Sequence, residues 1–346
     1  MRAEKAPFAY LLLATTLCTV SLAQQPGQPV AGYKLLNTIS IPGGLTGFDI
    51  SWVDASSARY YLADRGNANA TPPVSPRIDV IDTLNNQFLT SINLTAGANG
   101  VVAIPRAHEL WVGLSDSTVV VINTDNDTTA HVISTGGSMR ADELAWDPVD
   151  RIILIANDRD SPPFVTFISE QNYTVLGTLK YDGASAPKST GGIEQSVWNA
   201  TTLKFYIAIP ATSTNPNGEI DEIDPHSMSV TRVFPTTCMG PSGLALIPNQ
   251  RLITACGDIL DIATGKVLST VKGASGDEIW YNSGDQRVYF GSTANVIVVD
   301  ATTNATAPLT TLVVGQVVPA PGVSNTTHSV AADANNNLVL VPVTGM

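Results

Sequence analysis

The chain has 346 residues, of which 30 are acidic and 18 basic, for a formal net charge of −12. Such an acidic protein lacks the basic surface that displaces counterions from phosphates, which excludes a nucleic-acid binder. Its 14% charged residues and mean hydropathy of +0.13 exclude a coiled coil or a disordered chain, and 27 Gly with 22 Pro point to many turns.

In chain order, the first element is an address. Arg2 and Lys5 precede the apolar run Phe8–Val20, and Ser21-Leu22-Ala23 puts small residues at −3 and −1 of a cleavage site. We therefore expect a signal peptide over 1–23, a single domain over 24–346 and a secreted protein. The apolar run is too short to span a membrane, which takes about 20 residues. Cys18 leaves with the signal. Cys238 and Cys256 remain, an even pair that forms one disulfide in an oxidising compartment; two buried free thiols are the alternative. Seven N-x-S/T sequons (Asn69, Asn93, Asn126, Asn172, Asn199, Asn304 and Asn325) are expected glycosylation sites if the source is a eukaryote.

A short strand recurs along the mature chain: Arg59–Asp64, Glu109–Asp116, Arg151–Asn157, Lys204–Ile209, Arg251–Cys256, Arg287–Ser292 and Asn337–Pro342. After each of the first six comes a second strand ending near Asp82, Asn123, Ser169, Asp224, Asp261 and Asp300, at intervals of 41, 46, 55, 37 and 39 residues. A period near 40 with about four short strands per unit marks an all-β fold, the β-propeller. Strand a opens each unit, as in Phe48–Trp52; strands b and c are the recurring pair; strand d runs outward, as in Gln87–Ile92. The expected blades are 43–92, 93–135, 136–179, 180–235, 236–271, 272–314 and a seventh from 315–346, closed by an N-terminal strand Tyr33–Ile41. Six blades is the alternative count.

The segment Cys238-Met-Gly-Pro-Ser-Gly-Leu-Ala, followed by Leu252–Cys256, resembles the Cys…Pro-x-Gly-Leu-Ala…Cys blade of secreted YVTN-type β-propeller proteins. Asp142-Glu143, Asp277-Glu278 and His328–Asp333 resemble the same family's blade starts. The resemblance covers nearly the whole mature chain and implies a propeller that binds ligands. Its similarity to gluconolactonase-type propellers is architectural, because their opening glutamate turn is missing here.

In a propeller, the turns entering strand a and the b–c turns converge on one mouth of the central channel. That layout gathers Asp49, Asn99, Asp142, Glu143, Glu194, Gln195, Ser242, Asp277, Glu278 and His328, with Arg65 and Arg159 from b–c turns. Three chemistries fit such a set. Oxygen ligands from several blades can bind Ca²⁺ or Mg²⁺, with Glu194, Asp277 and Glu278 as the candidate ligands. Crowded carboxylates can serve as general acid and base, with Glu194, Asp277, Glu278 and His328 as catalytic candidates. Or these side chains accept hydrogen bonds at strand starts and do nothing more. Arg65 and Arg159 can meet an anionic ligand or neutralise neighbouring aspartates. Long loops at 66–76, 182–190 and 212–218 surround the same mouth.

The expected function is a monomeric binding propeller that holds a small molecule, a glycan or a segment of an extracellular protein at an acidic mouth. The alternative is a lactonase-, lyase- or isomerase-type enzyme, metal-assisted or not. A structural surface protein is the third reading. Neither a nucleic-acid partner nor a membrane span is expected.

Overall fold

The computed structural model of the protein describes residues 32–313 and 327–344. The expected signal peptide, 1–23, and Asn325 lie outside them. Among the described residues the chain folds into six four-stranded antiparallel sheets and one two-stranded sheet. The six full blades run 48–93, 98–134, 144–180, 196–235, 244–270 and 279–313, each with its strands side by side in chain order. The one helical element is a single 3-10 turn, Pro105–Ala107, and no helix among these residues is long and apolar enough to cross a membrane.

Burial explains the strand sequences. Strands b and c are covered on both faces by neighbouring blades, so Ile152–Asn157 and Phe164–Ser169 are buried at every position and read as continuous apolar runs. Strands d face solvent: Gln87–Asn93 buries only Ile92 fully. In five blades a bulge shifts the c–d register, as between Val80 and Ile81, adding the local twist that blades need. Every a–b turn carries a residue in the left-handed region: Ala58, His108, Arg151, Leu203, Gln250, Gln286 and Asn337.

Ring closure departs from the expectation. Six blades are complete, which was the alternative count. Among the described residues, the seventh position holds Ala331–Asp333 paired with Leu338–Leu340, packed between the innermost strands of blades 6 and 1. Tyr33–Ile41 does not pair as a strand. Side chains anchor it instead: Ile39 and Ile41 enter the apolar seam around Tyr60 and Ala331, and Arg287 donates to the Tyr33 hydroxyl at 2.7 Å. Leu35 and Leu36 stay exposed, so the segment lacks the continuous apolar face that would dock it as a strand. The seam is held by polar bonds as well, with Ser51 N donating to Ser329 Oγ at 3.0 Å and Asn335 donating to the Ala55 carbonyl at 2.7 Å.

Cys238 and Cys256 form a disulfide, with Cα atoms 5.7 Å apart, joining the entry of blade 5 to the end of its second strand. Of the sequon asparagines, Asn69, Asn93, Asn126, Asn172 and Asn304 are exposed. Asn199 is not available as a glycan acceptor. It is buried, and its amide donates to Gln250 Oε1 at 2.8 Å.

Candidate functional site

Each unit enters its innermost strand through two residues: Asp49-Ile50, Asn99-Gly100, Asp142-Glu143, Glu194-Gln195, Ser242-Gly243, Asp277-Glu278 and His328-Ser329. In blades 3, 4 and 6 this entry is pinned by a pair of backbone bonds to strand b, as between Asp142, Glu143 and Ala156. Bulges supply the same offset in blades 1 and 2. The strands crowd so closely that blades 2 and 5 have room only for glycine. A Cβ on Gly100 would sit 1.7 Å from the Asp142 carbonyl oxygen, and one on Gly243 would sit 2.4 Å from that of Asp277.

The five entries that carry longer side chains converge. Asp49, Asp142, Glu143, Glu194, Asp277, Glu278 and His328 line one cavity of about 210 Å³, together with Arg65, Arg140, Arg159 and Ile50. The remaining candidates lie beside it. Asn99 is buried beneath, where it accepts from Arg65 Nε at 3.2 Å and donates to the Ala141 carbonyl. Gln195 crosses the channel, donating to the Ile279 carbonyl and accepting from Leu244 N at 2.6 Å, which ties blades 4, 5 and 6 together. Ser242 donates to the carbonyls of Gly276 and Asp277. Gln195 and Ser242 thus serve structure. Two of the three long loops are fastened to each other near this end, Ser189 bridging to Thr212.

Arg140, which the sequence reading missed, organises the mouth. It donates through Nε and Nη2 to Asp158 at 2.9 and 2.8 Å, and its guanidinium lies 2.6 Å from Asp142 and 3.3 Å from Asp49. Burial works against its charge, but the three carboxylates outweigh that cost and hold it protonated. Arg65 pairs with Asp49 and Arg159 with Asp158. The signal for Arg140 was its place two residues before Asp142, inside a cluster short of cations.

Five of these acids, Asp49, Asp142, Glu143, Glu194 and Glu278, hold their protons above the ordinary carboxylate range. Burial pushes Glu194 up to about 8, helped by repulsion from Asp158, Asp277 and Glu278. Burial raises Glu278 to about 7. Glu143 and Asp142 rise well above the carboxylate range, first by burial and then by repulsion from Glu278 and Asp49 respectively. Asp49 is raised by burial against the pull of Arg65 and Arg140. Glu143 and Glu278, from blades 3 and 6, lie close enough to influence each other's proton affinity, and Glu278 Oε2 is buried without a hydrogen-bond partner. Asp142 Oδ1 is buried without a donor.

His328 bridges two acceptors. Its Nε2 lies 3.1 Å from the Phe48 carbonyl and its Nδ1 lies 3.2 Å from Asp277 Oδ2. A carbonyl only accepts, so Nε2 carries a hydrogen, and the second bond is completed when Nδ1 carries one too. Burial opposes that charge, but the Asp277 bond and the Asp49 carboxylate raise its pKa.

Glu194, Asp277 and Glu278, the candidate metal ligands, all line this mouth. They share a cavity, yet among the described residues no group of three or more His, Cys, Asp or Glu is placed to hold a metal ion. Arg65, Arg140, Arg159 and His328 offset part of the mouth's negative charge. The other histidines stand apart: His108 meets Asp125, His131 stacks on Tyr173 and His226 meets Asp150.

No protein-family model matches the chain, and no curated protein matches it. Its fold is shared with 1612 chains of solved structures, so likeness of this kind identifies architecture and not activity. One is a chain of the "Crystal Structure of Mitotic Checkpoint Complex", similar at a TM-score of 0.64 and 14% identity over 95% of this chain and 96% of that one. The chain is a β-propeller with an acidic, arginine-braced cavity at one end of its axis.

Proposed function

We propose that this is a secreted propeller, of the YVTN type its blade motifs resemble, that binds a small polar ligand at the mouth of the channel. The single observation that carries the reading is convergence: five strand entries deliver their titratable side chains to one cavity whose only apolar lining residue is Ile50. Solvation of turns does not require that. The cavity is smaller than the roughly 300–1,000 Å³ of drug-sized sites, so it suits a compact molecule, or the terminal group of a glycan or protein segment. Asp142 Oδ1 lacks a donor, the protonated Glu194 supplies one, and the exposed Arg65 and Arg159 stand at the rim. A ligand with hydroxyl or amino donors and an acidic group matches that set. The disulfide supports an oxidising destination.

The test is a thermal-shift panel of hydroxy acids, amino sugars and small amines, followed by calorimetry on any hit. The Asp142→Asn, Glu194→Gln double variant should lose at least about tenfold in affinity, the scale of one hydrogen bond to a charged group. Unchanged affinity in that variant would overturn the assignment.

One pair of residues favours a second reading. Glu143 and Glu278 line the same cavity, with their proton affinities raised by burial, and would serve as a general acid–base pair, which suits a lactonase, lyase or isomerase. Turnover of a small lactone that vanishes in Glu278→Gln would establish it; absence of turnover across a lactone panel leaves the binding reading standing alone.

A further inference from the structure

Blades 1 and 4 carry one motif on their third strands, Arg77-Ile-Asp79-Val-Ile-Asp82 and Glu219-Ile-Asp221-Glu-Ile-Asp224. In blade 1 the Arg77 guanidinium lies 2.8 Å from Asp64 and 3.1 Å from Asp79, so two buried carboxylates share one tethered cation. In blade 4 the arginine's position holds Glu219. The equivalent aspartate, Asp221, meets a second carboxylate where its counterpart meets a positive charge. Both residues are fully buried. No hydrogen bond of good geometry reaches either oxygen of Asp221, Glu219 Oε1 or the hydroxyl of Tyr181, which lies beside Asp221. Glu219 Oε2 alone is satisfied, by the Thr212 hydroxyl at 3.0 Å and the Asn215 amide.

Four such oxygens around a fully buried carboxylate call for a cation, because an isolated buried charge is among the costliest things a fold can hold. We propose that a hard divalent cation of the Ca²⁺ type binds here, between blades 3 and 4, held by Asp221 and Glu219 with the Tyr181 hydroxyl. All the donors are oxygens, as Ca²⁺ prefers. The ion takes the place of the arginine that blade 1 supplies from its own chain. The site also joins two mouth loops, since Tyr181 leads into 182–190 while Thr212 and Asn215 belong to 212–218. This site is independent of the channel mouth.

The experiment starts from chelator-treated full-length mature protein. Added CaCl₂ should raise its melting temperature by roughly 5 °C at about 100 times Kd, and bound Tb³⁺ should luminesce on tyrosine excitation through Tyr181. Asp221→Asn should abolish both signals. Glu219→Arg, which restores the blade 1 arrangement, should abolish the Ca²⁺ response while melting no lower than the metal-free wild type. The Asp142→Asn, Glu194→Gln mouth variant should keep the full response. No Ca²⁺ shift and no Tb³⁺ emission at millimolar metal would overturn the proposal, as would a response that survives Asp221→Asn or disappears in the mouth variant.

Discussion

Glu194→Gln tests the electrostatics of the mouth through a pH profile. Glu194 holds its proton to about pH 8, against 4.5 for an ordinary glutamate. The folded state therefore binds a proton that the unfolded chain has released, and stability falls as pH rises between those values. Each pH unit in that window is worth about 1.4 kcal/mol. From pH 5 to pH 8 the loss due to this one side chain is roughly 3–4 kcal/mol, or about 5–10 °C in melting temperature for a chain of this size. Glu278, raised to about 7, and His328, also raised, act in the same direction. Below about pH 4.5 the sign reverses for Glu170. Its burial is outweighed by hydrogen bonds from Arg151, Trp146 and Arg106, and protonation breaks that cluster. The stability maximum is thus expected near pH 5. Calorimetric melts of wild type and Glu194→Gln at half-unit steps from pH 4 to 9 read this out. The variant should keep a smaller slope, from Glu278, His328 and the other raised carboxyls of the mouth, and should melt above the wild type at pH 8. A wild-type profile that is flat or rising from pH 5 to 8, or a variant profile that overlays it, would refute the reasoning.

Three further outcomes follow from the packing. Gly100→Ala drives a Cβ into the Asp142 carbonyl, so it should cost at least about 3 kcal/mol by urea unfolding, while Gly97→Ala, whose Cβ meets only the Ser115 side chain, should cost far less. Arg140→Met strips the cation from Asp49, Asp142 and Asp158 and should destabilise by about 3–5 kcal/mol at neutral pH, with part of that recovered at pH 5 as the carboxylates protonate; equal losses at both pH values would contradict the charge argument. Reducing Cys238–Cys256, which closes a loop of 18 residues, should cost about 3 kcal/mol, and alkylation of the unreduced mature chain should find neither cysteine free.

The blades were legible because strands b and c are buried on both faces, so their apolar runs recur undisguised along the chain. The mouth was legible for a related reason. Residues such as Asp142, Glu194 and Asp277 sit where a polar pair interrupts the pattern at each strand entry, and the ring geometry aims those entries at one axis. Distances across that axis were not legible. Glu194, Asp277 and Glu278 share a cavity, but nothing in their spacing along the chain reports how far apart their blades hold them. Arg140 was missed because it lies outside the entry pair and reaches in by its length. Tyr33–Ile41 carries strand-like residues, but its attachment rests on Tyr33, Ile39 and Ile41 filling gaps in a seam, which no alternation reveals. Asn199 matches the sequon rule while its amide is spent on Gln250.

The most direct test of the central claim is a crystal structure of the mature protein with the strongest ligand from the small-molecule panel. The account predicts the ligand on the channel axis, with one of its donors about 2.7–3.2 Å from Asp142 Oδ1 and its acidic group toward Arg65 or Arg159. A ligand seated on the outer strands, or on the a–b turns at the far end of the channel, would contradict it.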